Sequence, residues 1–321
     1  MCRLTMKLLT PFFLLTALGL FVTGCKEKPV KTAVKQKAPQ IEKQDLVSIR
    51  GIRYTEVKRR FSNGLSFDTT GFQQKPSWII QFSSDDTVKA FDPAQKIMQP
   101  FYLIHDRNSI FNFAKEWFRF KKISKDSLVF QRLQLNGKEV ANDIRSDVNM
   151  TFYADTYIEK LRTTAEQLQR PGKADTIFIS KLVKKANLDP GNRNSAFAAT
   201  QIAQLIPIDR RISVEQISSV DRLNGKTEAW DYLYPRYRIV IPQAYKEFAY
   251  EFNLMIDKNG KMILGDSFLA IPEFRESRRK VLQGITDVYL QNLLKIKPGT
   301  TLGMPHSSEI TVSVVGKKDP K

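Results

Sequence analysis

Both cysteines of this 321-residue chain, Cys2 and Cys25, lie within its first 25 residues. No disulfide can cross-link anything beyond that point, so the fold that follows must rest on its apolar core alone. Residues 8–22 are an apolar stretch behind Arg3 and Lys7, and the stretch ends in Leu20-Phe21-Val22-Thr23-Gly24-Cys25. A spanning helix needs roughly 20 apolar residues, and Pro11 interrupts this stretch near its start. A basic n-region, a short h-region and small residues before a cut describe a removable leader better. The alternatives are an ordinary signal peptide with an incidental cysteine and an uncleaved anchor.

Val22-Thr23-Gly24-Cys25 resembles the lipobox of bacterial lipoproteins. That resemblance implies cleavage before Cys25 and lipidation of Cys25, with palmitate among its acyl chains. The mature chain would then begin with its single cysteine, and lipidation would remove the free thiol. One acyl chain binds a bilayer only marginally, whereas two or more anchor firmly. Lys26-Glu27-Lys28 follows, with no Asp next to the cysteine and no acid-rich tract. By the same resemblance, the expected location is the bacterial cell envelope, on the periplasmic face of the outer membrane.

The formal net charge is +18, and loss of residues 1–24 removes Arg3, Lys7 and no acid, leaving +16. Such a body attracts anionic lipid headgroups, anionic glycans or acidic protein faces. Nucleic acid is disfavoured by the compartment. Residues 25–47 read as a flexible basic tether, because six lysines, two prolines and few apolar residues supply no periodic face to bury. As a coil it spans about 25 Å.

The remaining length favours two domains. The spacing predicts an α+β fold, with a strand-rich domain over 48–172, a mixed connecting region over 173–239 and a second α+β domain over 240–321. In the first, Trp78, Ile80 and Phe82 alternate with Ile79 and Gln81, and residues 128–135 run into the hairpin signal Asn136-Gly137. Residues 110–120 carry Phe111, Phe113, Trp117, Phe118 and Phe120, which suit either a strand pair or a short helix. Residues 155–169 read as a helix. Residues 195–205 read as a small-residue helix ending near Pro207.

The last 80 residues have the clearest pattern. Phe248, Tyr250, Phe252, Leu254 and Ile256 alternate with polar positions, Asp257-Lys258-Asn259-Gly260 makes a turn, and residues 261–264 return. A helix over about 273–294 follows, then Lys297-Pro298-Gly299, Gly303-Met304-Pro305 and a final strand with Ile310, Val312 and Val314 on one face. This order, over roughly 240–316, resembles the C-terminal domain of TonB-type energy transducers. Ile296 stands where that family usually has Trp. The resemblance implies β-augmentation, in which a partner strand pairs with an exposed sheet edge. Ile310, Val312 and Val314 on the strand over 309–315 are the candidate partner-binding edge, and Val312→Pro is expected to weaken partner binding in a folded domain.

Catalytic chemistry has little to work with. The two histidines, His105 and His306, have no triad pattern around them, and no Cys/His spacing suits zinc. No phosphate loop is present, and Asn142-Asp143-Ile144-Arg145-Ser146-Asp147 lacks the Gly and closing Glu of a calcium loop. No cofactor is expected. The sequence reading is therefore a non-enzymatic, envelope-anchored module that binds or assembles with an envelope protein. The alternative is a carrier or sensor of an apolar or anionic envelope molecule, a lipid or glycan, in the aromatic-rich first domain.

Overall fold

The computed structural model describes residues 40–137, 139–141, 146–221 and 226–318. The leader, Cys25 and the tether up to residue 39 lie outside the described residues, as do residues 142–145. From Pro39 to Lys321 the chain forms one compact unit. The fold is α+β, with a large antiparallel sheet first and a smaller mixed sheet with a helix second.

The first sheet is built from β1 (Arg53–Phe61), β2 (Ile79–Ser84), β3 (Thr87–Asp92), β4 (Ile97–Tyr102), β5 (Ile104–His105), β6 (Ile110–Phe113), β7 (Glu116–Ile123) and β8 (Ser127–Leu133). A two-residue hairpin, β9 (Leu135–Asn136) and β10 (Glu139–Val140), precedes β11 (Val148–Ala154). The Asn136-Gly137 turn closes only this small hairpin, and the strand that returns against β8 is β11. The strand order is β4-β3-β2-β1-β11-β8-β7-β6-β5. Its two outermost strands, β4 and β5, are separated in the chain by Leu103 alone. The sheet must therefore roll until its edges meet, and β4 comes to lie against β6. The result is an eight-stave up-and-down barrel, with β4 and β5 as one bent stave.

Eight staves enclose a space that side chains can just fill. Here phenylalanine fills it. Phe82, Phe111, Phe113, Phe118, Phe120, Phe130 and Phe152 are all buried. Phe120 stacks on Phe130 at 3.9 Å and on Phe111 at 4.3 Å, Phe113 stacks on Phe118 at 4.7 Å, and Phe130 meets Phe152 at 5.2 Å. Each such pair adds ~0.5–1.5 kcal/mol beyond the area it buries. Residues 110–120 are thus a strand pair, joined at Ala114 and Lys115, whose φ values are 50° and 62°. Two consecutive positive φ values make the primed turn that matches strand twist.

The end of the expected tether is folded, not free. A 3-10 helix at Lys43–Ile49 sends Leu46 and Ile49, with the preceding Ile41, into the barrel core. These three have no helical period of their own. The aromatic interior supplies the surface against which they bury.

Two short helices, α1 (Asp155–Lys160) and α2 (Ala165–Gln169), replace the single expected helix, with Arg162 at φ 54° between them. Helix α3 (Lys173–Leu188) then crosses to the second half. Ile179 and Ala186 pack with Phe67 and Phe197 in a third small core. Residues 195–203 are not helical. Their backbone groups bond elsewhere: the Ala198 N–H donates to the Thr70 carbonyl at 2.9 Å, and Gln201 exchanges bonds with Thr300 at 2.9 and 2.8 Å. At the first crossing Gly71 has φ +90°, and a Cβ there would sit 2.4 Å from the Ala198 carbonyl oxygen.

The second half contains β12 (Gln204–Pro207), β13 (Ser213–Ile217), α4 (Ala229–Leu233), β14 (Arg236–Ile241), β15 (Phe248–Ile256) and β16 (Met262–Phe268). A 3-10 turn (Pro272–Phe274), α5 (Arg275–Gly284), a π-helical turn (Ile285–Leu290) and α6 (Gln291–Leu293) form its helical arm. Then come β17 (Leu294–Lys297), β18 (Thr300–Thr301), β19 (Met304–Pro305) and β20 (Ser308–Gly316). The main sheet runs β13-β14-β20-β15-β16, and β12 pairs with β17 beside it. Leu282, Ile285 and Leu290 of the arm share a core with Tyr237, Ile239, Phe252, Leu254 and Val312. Gly260 closes the β15–β16 turn at φ +84°, where a Cβ would lie 2.8 Å from the Ile296 carbonyl oxygen. The expected boundaries after 47 and 239 fall inside the 3-10 helix and β14 respectively.

This topology corrects the candidate edge. β20 is the middle strand, parallel to β14 on one side and antiparallel to β15 on the other. Ile310, Val312 and Val314 are buried in the core beneath it. No partner strand can reach them. Proline lacks the ladder N–H and is tolerated only at sheet edges or bulges. Val312→Pro is therefore expected to cost at least the ~1–3 kcal/mol of a buried ladder partner left unpaired, or to prevent folding. Urea denaturation followed by circular dichroism checks this, and an unchanged midpoint would contradict a central β20.

Candidate binding site: an open strand edge and its polar groove

The exposed ends of the second sheet differ. β16 is blunted. Phe252 pairs with Phe268 and Leu254 with Leu264, so three residues bulge opposite one. The Met262 N–H is already taken by Gln291 Oε1 at 2.9 Å. Bulges of this kind turn an edge away from pairing. β13 is different. It pairs with β14 in unbroken register from Ser213↔Val240 to Ile217↔Arg236, and it is the terminal strand of its sheet. Its side chains are exposed or half-buried throughout.

A polar groove of about 610 Å³ includes the β13 residue Gln216 in its wall. Gln201, Gln204, Glu228, Asp231 and Tyr232 also line it. Asp231 is anchored by Ser218 Oγ at 3.0 Å and the Ser219 N–H at 2.5 Å. Gln201 Oε1 accepts from Thr300 Oγ1 at 2.8 Å. The Tyr232 hydroxyl accepts from the Gln73 N–H at 3.0 Å, which ties the groove to a barrel loop. Burial is the main cause that raises the Tyr232 pKa, so the phenol stays protonated. Open backbone, amide side chains and two carboxylates suit an extended polar segment carrying cations. Glu228 is exposed, and Asp231 is held by two donors.

A smaller pocket of about 340 Å³ opens on the barrel wall, lined by Trp78, Phe91, Asp92, Gln99, Phe101 and Ala114. Trp78 is wedged edge-on against Phe113 and Phe118 at 6.0 and 5.5 Å. A buried carboxylate fixes this region: Glu56 takes a bidentate bond from Arg59 and the N–H groups of Ser77 and Trp78. The aromatic-basic run at 117–122 is a barrel stave. Phe118 and Phe120 face the core, while Trp117 and Arg119 are half-buried on the other face.

His105 stacks on Phe111 at 4.5 Å, and its Nε2 lies 3.6 Å from Glu42 Oε2. His306 is fully buried and stacks on Phe197 at 3.8 Å. Its Nδ1 lies 3.0 Å from the Ser307 carbonyl and its Nε2 3.0 Å from Thr301 Oγ1. A carbonyl only accepts, so Nδ1 carries the proton and Nε2 accepts from threonine. Among the described residues no group of three or more His, Cys, Asp or Glu is placed to hold a metal ion. No helix among them is long and apolar enough to cross a membrane. No family model matches the chain, and no curated protein matches it in sequence.

Burial lowers the His306 pKa from 6.5 to about 4. The unfolded chain takes up this proton below pH 6.5 while the folded chain resists it. The His306 contribution to stability is thus full above pH 6.5 and is lost as the pH falls from there to about 4, by about 3 kcal/mol in total. His306→Gln is expected to be weaker at neutral pH but to lack this slope. Denaturation curves at pH 7.5 and 4.5 for both proteins measure it, and parallel slopes would refute the assignment.

Proposed function

We propose that the chain is a lipid-anchored, non-enzymatic binding module of a bacterial envelope, held at the periplasmic face of the outer membrane. It captures an extended segment of an envelope protein along β13. The observation that carries the reading is the unbroken terminal strand beside a groove of amides and carboxylates. Backbone bonds to the open edge supply affinity, and the groove selects side chains at alternate positions. Support for the location comes from the Val22-Thr23-Gly24-Cys25 run. Support for the mode comes from the resemblance of the hairpin, helix and closing strand to the TonB-type C-terminal domain.

Two experiments test this. Cys25→Ser is expected to abolish palmitate labelling and to release the chain from the membrane fraction; persistent labelling would reject the anchor. Alternate residues of an antiparallel edge turn their N–H outward, so Glu215→Pro and Gln216→Pro are compared. The variant that keeps the wild-type melting temperature is expected to lose about tenfold in cross-linked partner recovery from intact cells. Undiminished recovery in both would reject β13 as the edge.

The second reading is a carrier of a small amphipathic envelope molecule. The aromatic walls and polar rim of the barrel pocket favour it. Native mass spectrometry separates the two, because a co-purifying lipid or glycan lost in Trp78→Ala supports the carrier.

A further inference from the structure

The passage from β16 into α5 sets three large apolar side chains in water within six residues. Leu269 is 91% exposed, Ile271 59% and Phe274 58%. The segment is not a loose end. The Phe274 N–H donates to the Ile271 carbonyl at 3.0 Å, and Ser277 Oγ donates to the Phe274 carbonyl at 2.9 Å. Arg275, Arg278, Arg279 and Lys280 follow on the next turns, and the acids of residues 269–281 are Glu273 and Glu276. The Arg275 guanidinium lies over the Phe268 ring at 4.8 Å, and that of Arg278 over Tyr250 at 4.6 Å. Arg279 pairs with Asp266 at 2.6 Å. Lys280 stands exposed. The three arginines are therefore held beside the apolar turn.

An apolar tip flanked by cations matches one kind of surface. Apolar side chains gain by entering the boundary between headgroups and acyl chains, while cations meet lipid phosphates. Arg and Lys stems lie along apolar surface with their charged ends at the phosphate level. We propose that residues 268–281 form a docking tip for an anionic bilayer surface. Leu269, Ile271 and Phe274 enter the lipid, and Arg275, Arg278 and Lys280 contact phosphates. This does not depend on β13 or on lipidation of Cys25, and it would set how the body lies on whatever membrane holds it.

Residues 39–321, which contain all three cores, are the material for the test. The protein is co-sedimented with vesicles of pure phosphatidylcholine and of phosphatidylcholine with one quarter phosphatidylglycerol. Binding is expected only to the anionic vesicles and is expected to weaken as salt rises. Leu269→Asp, Ile271→Asp and Phe274→Asp together should lower the bound fraction at least tenfold without moving the melting temperature. Arg278→Gln with Lys280→Gln should lower it several-fold and flatten the salt dependence. Equal binding to both vesicle types, or binding unchanged by the triple aspartate variant, would overturn the proposal. So would a dimer in the absence of vesicles that the same variant dissociates, since the tip would then cover a second copy.

Discussion

β4 and β5 are the two ends of one nine-stranded sheet, and only Leu103 separates them in the chain. That single covalent link forces the sheet to close, and closure fixes what the first half of the protein can be. A barrel of eight staves has little interior to spare, and its stacked phenylalanines occupy it. The interior is therefore full, and the 340 Å³ pocket lies in the barrel wall. Ile41, Leu46 and Ile49, just before β1, bury against the same aromatic core.

The second half depends on the first through buried polar groups. Asp175 at the start of α3 accepts from the Ser66 and Gly172 N–H groups at 2.7 and 2.8 Å and from Arg60 at 2.8 Å. Burial by itself raises a carboxyl pKa, but these donors outweigh it and hold Asp175 below the usual range. A charge buried with all its partners is costly to disturb, so α3 is pinned to β1. At the other end of α3, Asn187 bonds to the Ser307 N–H and the Pro305 carbonyl, beside the neutral His306. Helix and sheet are thereby locked at both ends. The proposed binding features then sit on firm supports: the β13 edge on a five-stranded sheet, and the groove tied to the barrel through Tyr232.

Much of the architecture was legible locally. Alternation at 248–256 and the Asp257-Lys258-Asn259-Gly260 turn specify their hairpin, because Gly260 must adopt positive φ. The pair β6–β7 was ambiguous for a physical reason. Its turn uses Ala114 and Lys115, which give no sign of left-handed backbone. Ala196, Ala198, Ala199 and Ala203 favour a helix by propensity, but bonds to Thr70 and Thr300 hold that segment extended. The candidate edge failed for a related reason. A strand with one apolar face looks the same at the centre of a sheet as at its border, and the neighbour that makes β20 central is a parallel strand more than 60 residues away.

The sequence by itself determined the charge, the absence of any disulfide beyond Cys25, the aromatic content of the first half and the order of elements in the second. These follow from composition and from periods of two to four residues. The tertiary structure decided which strand lies at the edge, that the barrel closes and is full, and that Gln216, Glu228 and Asp231 share a groove. Those outcomes rest on backbone pairing between distant segments, which no local period records.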